Sequence, residues 1–147
     1  MAVSLLAESV LPGQHRFLAR VPGHAASTAT ESFPIDFQRQ AIALVSATHV
    51  PDQTITGADT NSTSLELVNV GTAGVGTAEL ANRDYLNGTD TTALDGGAFT
   101  MAATLTVAAG SVIVLRYTKV GAGLAIPAGF IEFIYTITYW AGARESR

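Results

Sequence analysis

The sequence predicts an all-β chain folded as an antiparallel sandwich or barrel, and three observations predict it. Four runs, at 62–70, 99–107, 111–120 and 130–140, either alternate apolar with polar residues or are dense in β-branched and aromatic side chains. Turn chemistry separates the candidate strands, with Pro-Gly at 12–13 and 22–23, Asn87-Gly88, Asp95-Gly96-Gly97 and Ala109-Gly110. No convincing helical period lies between them.

Taken in order, the chain opens on an apolar arm, residues 1–14, carrying Val3, Leu5, Leu6, Val10 and Leu11 and ending at Pro12-Gly13. Leu6 and Val10 are four apart, as in one amphipathic turn, which is too short to be stable alone and would gain by docking on a neighbouring chain; the alternative is a first strand or a frayed end. Residues 15–147 form one β domain. Its weaker strand candidates are HRFLARV (15–21), AIALVSATHV (41–50) and GTAELAN (76–82), the last competing with a short helix over 79–86. STSLELVNV (62–70) sets Leu65 and Leu67 against Glu66. In FTMAATLTV (99–107), Phe99, Met101, Ala103, Leu105 and Val107 make one continuous face. The final strand puts Ile131, Phe133, Tyr135, Ile137 and Tyr139 on a core face. Phe130, Glu132, Ile134, Thr136, Thr138 and Trp140 occupy the other. That second face is too apolar for bare solvent and too polar for a core, which suits an intersubunit contact through Phe130, Ile134, Thr136, Thr138 and Trp140; the alternative is a loop or terminal segment of the same chain folded over it.

Composition points the same way. Charged residues are 14% of the 147 residues and hydrophobic ones 48%, against about 25% charged in an ordinary soluble domain. Such a neutral surface is cheap to desolvate against other protein. Net charge is −4, Lys119 is the only lysine and the arginines are scattered, so no cationic cluster is set for phosphate and no nucleic-acid partner is expected. The absence of cysteine excludes disulfides and thiolate metal sites. No signal peptide is expected, and no run approaches the ~18 apolar residues of a membrane span, so no membrane partner is expected either.

Candidate chemistry is sparse. GTAGVG (71–76) and GAG (121–123) lack the spacing of phosphate-cradling loops, and the run to Ile126-Pro127-Ala128-Gly129 reads as a strand connection. His15, His24 and His49 lie far apart and read as surface or turn histidines rather than metal ligands. Asp59-Thr60-Asn61 starts like a calcium loop, but the sixth position is Ser64 and the twelfth Val70, so both side chains read as turn residues bonding local amides. No serine sits in a nucleophile elbow, and no carboxylate pair is singled out by spacing. No catalytic residue, metal or cofactor is expected. A sugar platform on Tyr85, Tyr139 or Trp140, as in an adhesin or tail-fibre module, is the alternative function.

Two stretches, 55–80 and 105–138, carry ordered motifs: GADTN before a strand, N-x-G-x-A-G-x-G after it, and a closing R-x-T-K-V-G-x-G-x-x-x-P-A-G hairpin. In this order they resemble the head decoration, or cement, proteins of tailed bacteriophages and related small virion components. The extended arm of residues 1–14 lies outside the matching stretches. The resemblance implies a β-sandwich of jelly-roll type. It further implies a homotrimer seated on the major capsid protein, on the outer surface of the phage head, at three-fold or quasi-three-fold points. It implies no catalytic residues.

Overall fold

A computed structural model describes residues 13–138 of the chain. Its strands are β1 (Gln14–Val21), β2 (Glu31–Phe37), β3 (Ile42–Pro51), β4 (Ser62–Gly71), β5 (Ala78–Asp84), β6 (Gly97–Ala98), β7 (Thr100–Met101), β8 (Thr106–Val107), β9 (Val112–Val120) and β10 (Gly129–Ile137). There is no helix among the described residues. One sheet runs β1-β10-β3, with β6 and β8 both on the far edge of β3; the other runs β2-β9-β4-β5-β7. Every pairing is antiparallel. The chain passes repeatedly from one sheet to the other, and the resulting order is that of a jelly-roll sandwich.

The inner faces follow the period of two. Leu65 and Leu67 of β4 and Ile113, Leu115 and Tyr117 of β9 meet Ile131 and Phe133 of β10 and Val21 of β1, all fully buried. The last strand loses this contrast towards its end, where Tyr135 and Ile137 are only partly buried. Opposite them the register slips: Leu44 pairs Tyr135 and Ser46 pairs Ile134, leaving Val45 as the extra residue of a bulge. Before the bulge β3 turns Ile42 and Leu44 inward; after it the inward set is Ala47, His49 and Pro51. That change of parity is why 41–50 shows no clean alternation in sequence.

Several expectations change. Residues 99–107 are not one strand. Gly97–Ala98 pairs with β3, Thr100–Met101 pairs with β5 in the opposite sheet, and Thr106–Val107 returns to β3. Phe99 and Val107 do face the core, but the backbone crosses the gap between the sheets and closes that side of the sandwich. Residues 79–86 hold no helix; Ala78–Asp84 is a strand. β2 was not foreseen, because Pro34 lies inside it. It is an edge strand with a register shift between Pro34 and Asp36, where a missing N–H is tolerated.

The glycine passage after β9 is a strand connection, as expected, but not a hairpin: β9 and β10 belong to different sheets. Gly121 has φ +62°, and a β-carbon there would come within 2.4 Å of the Thr60 carbonyl oxygen. Asn61 accepts from the Ala122 amide at 2.8 Å, and Asp59 from the Asn87 amide at 2.9 Å. These two side chains hold distant loops rather than their own turn. The first strand starts at Gln14, one residue inside the stretch assigned to the arm. Val3, Leu5, Leu6, Val10, Leu11 and Trp140 lie outside the described residues.

Candidate protein interaction face

The outer face of the first sheet is built from alternate residues of three adjacent strands. Along β10 the outward positions are Phe130, Glu132, Ile134 and Thr136. Register places Phe130 between Arg20 and Val50, Glu132 between Leu18 and Thr48, Ile134 between Arg16 and Ser46, and Thr136 between Gln14 and Ala43. The apolar members are therefore Leu18, Phe130, Ile134 and Val50, interleaved with Arg16, Arg20 and Glu132 and with the hydroxyls of Ser46, Thr48 and Thr136. Leu18 is 50% exposed, large for a leucine in the body of a strand. Thr138 lies just past the strand end, exposed, with its amide donating to Ala41 at 2.8 Å.

The charges on this face are paired within it. Arg16 Nε meets Glu132 Oε2 at 2.5 Å, and Arg20 meets both carboxylate oxygens of Asp52, at 2.5 and 3.3 Å. Exposed pairs like these add about 0–1 kcal/mol to folding. Their importance is for docking: a partner covering the face strands no lone charge, which would cost several kcal/mol.

The second sheet's outer face has a smaller apolar cluster, Val68, Val70 and Val114 with Val112 against it. Beside it Phe37 is 53% exposed, cross-strand from Val112, with the Arg39 guanidinium 5.8 Å above its ring. Nothing in the sequence reading singled this out, because β2 itself was not foreseen.

Titratable groups inside the fold are tied to structural partners. His49 is fully buried in the core, not a surface residue. Its Nδ1 lies 2.8 Å from the Tyr85 hydroxyl, which donates to Thr91 Oγ1 at 3.2 Å; Arg83 also donates to Thr91, at 2.6 Å, and to the carbonyls of Asp90 and Ala98. Burial, with the Arg83 charge adding to it, pulls the His49 pKa down to about 4. Tyr85 is buried, so it displays nothing to a sugar. His24 is also largely enclosed, edge-on to Phe33 and Tyr117, with Nε2 3.2 Å from Glu31; only His15 is exposed, stacked on Tyr135.

Lys119 spends its ammonium on the carbonyls of Ala25 and Leu124, each at 3.3 Å, and burial lowers its pKa. An open groove of about 380 Å³ lies where β1 and β2 part, lined by Phe17, Ile42 and Tyr135 with Asp36, Gln38 and Arg39 at its polar side. Burial raises the Asp36 pKa, and Gln38 donates to its carboxylate. The groove has a single carboxylate and no imidazole in its lining.

No family model matches the chain, and no curated protein matches it. Among solved structures it is similar to one titled as the structure of infectious bursal disease virus, Gx strain. The identity is 13% and the TM-score 0.43, over 88% of this chain and 34% of that one. The chain thus spans about a third of the length of that neighbour.

Proposed function

We propose that this chain is a non-enzymatic structural component of a phage virion. In this reading it binds the outside of the assembled head as a homotrimer, at three-fold or quasi-three-fold points, and stabilises the shell. The observation that carries the reading is the outer face of the first sheet, where Leu18 is half-exposed, Phe130, Ile134 and Val50 are only partly buried, and the nearby charges already have partners. The ordered motifs at 55–80 and 105–138 support it. So does the use of His49, Asp36 and Lys119 in internal bonds.

Physically, a clamp of this kind needs a stiff frame, a neutral face and a way to reach adjacent subunits. The sandwich is the frame, and the arm carrying Val3, Leu5, Leu6, Val10 and Leu11 provides the reach. Contacts of modest strength add up because each bound subunit holds the next at high local concentration.

Co-sedimentation of the purified protein with expanded heads that lack it tests the proposal. Saturable binding in multiples of three per local three-fold site is the expected result, weakened when residues 1–12 are removed and the circular dichroism is unchanged. Protein that stays in the supernatant at every concentration would overturn it.

A further inference from the structure

A sandwich has four sheet edges, and three of them here are protected against further pairing. On one side the edges are the two-residue strands β6, β8 and β7, too short to template another strand. β2 contains Pro34 and is bulged beside it. β1 is different. It is eight residues long, in unbroken register with β10, without proline or bulge, and among the described residues it pairs with nothing else. Its arginines do not guard the edge, since Arg16 turns to Glu132 on the adjacent strand and Arg20 to Asp52 beyond it. An edge left this open is a template for an extended segment.

We propose that the free edge of β1 receives the N-terminal arm of a second copy of this chain as an added strand, with Leu6 beside Leu18. This rests on the reading of the protein as a self-associating structural component and names where the arm goes. Residues 2–11, AVSLLAESVL, contain no proline or glycine and a single charge. As a strand they put Val3, Leu5, Ala7 and Leu11 on one side and Ser4, Leu6, Glu8 and Val10 on the other. The first set continues the inner face beside Phe17 and the groove where the sheets part. With Leu6 against Leu18, Glu8 falls opposite Arg16 if the added strand is antiparallel and opposite Arg20 if it is parallel. The only charge of the segment meets an arginine either way.

The residues that join the arm to β1 disfavour a tight hairpin back onto its own strand. Folding back on its own strand through a two-residue turn would need a type I′ or II′ geometry, both with positive φ at the first turn position. Pro12 in that position has its φ fixed near −65°. Gly13, at φ +82°, has the value of the second turn position of type II, whose twist splays a hairpin. Twelve extended residues span about 40 Å, ample to reach an adjacent copy.

Because the chain has no cysteine, single cysteines report contacts without background. Full-length Leu6→Cys is mixed with full-length Leu18→Cys, Leu18 being half-exposed, and oxidised or treated with a short thiol cross-linker. The expected result is a covalent pair between the two variants at least tenfold above the Leu6→Cys and Val75→Cys control, Val75 being 82% exposed on a remote loop. Glu8→Lys is expected to reduce that yield, and alternate β1 amides should exchange hydrogen at least tenfold faster on dilution. Cross-linking no better than the control overturns the proposal. So does a Leu6→Cys/Leu18→Cys double variant that closes only within one chain. Heads are absent from the experiment, so failure here leaves the capsid reading untouched, and failure of head binding leaves this one standing.

Discussion

His49 sits in Ser46-Ala47-Thr48-His49-Val50, where neither helical nor strand spacing marks it as internal. The one-residue bulge at Val45 turns it inward, and a bulge of this sort leaves no local sequence signal. Once inside, its Nδ1 is held by Tyr85 while its Nε2 is buried without a partner, and Arg83 is the charged group beside it. A neutral imidazole is the form this site accepts. With a pKa of about 4 in the fold against 6.5 unfolded, the unfolded chain binds the extra proton between these values. Stability from this residue is therefore full above pH 6.5 and falls as pH drops towards 4, by about 3 kcal/mol in all. Urea unfolding at pH 7 and pH 5 should differ by about 2 kcal/mol from His49 alone. His49→Asn, which keeps an amide near Nδ1 and does not titrate, should be less stable at pH 7 but should lose that part of the slope.

At the scale of elements, the long regular strands were legible and the joints were not. β4, β9 and β10 declare themselves because each contributes a full row of inward residues to one sheet, as with Ile113, Leu115 and Tyr117. The 99–107 run has the cleanest alternation in the chain, yet its backbone bonds to both sheets: the Phe99 amide to Ala47, the Ala102 amide to Leu80, and the Leu105 carbonyl to the Leu44 amide. Alternation reports which side chains face the core and is silent about which sheet the backbone joins. β2 was hidden for the converse reason, since its proline is permitted only by its place at an edge. Phe99, packed in the core at the point of crossing, ties the two sheets together. Phe99→Ala is expected to cost about 3 kcal/mol. Hydrogen exchange should show the amides of 97–107 opening before those of β4 and β9.

For the whole molecule, the decisive contrast is between the work done by the inner and outer faces of the first sheet. The inner face, through Ile131 and Phe133, makes the core. The outer one carries comparable side chains at Phe130 and Ile134 with nothing described above them, a half of the candidate site that the final strand's pattern revealed. Its other half was not readable in sequence, because Leu18, Val50, Arg16, Arg20 and Asp52 come from β1, β3 and the residue after β3, brought alongside β10 by register alone. A carboxylate at Ile134 would sit beside Glu132 and compete with it for the cross-strand Arg16, leaving one negative charge in excess that docking must bury. Ile134→Asp is therefore expected to weaken self-association or head binding at least tenfold, while the urea unfolding free energy of the isolated chain moves by less than about 1 kcal/mol. Because the native face is apolar with satisfied ion pairs, wild-type binding should change little between 0.05 and about 0.5 M salt, a range over which contacts driven by net charge are screened away. Equal loss of folding and binding in Ile134→Asp, or binding that collapses with salt, would move the contact away from this face and onto the charged rim.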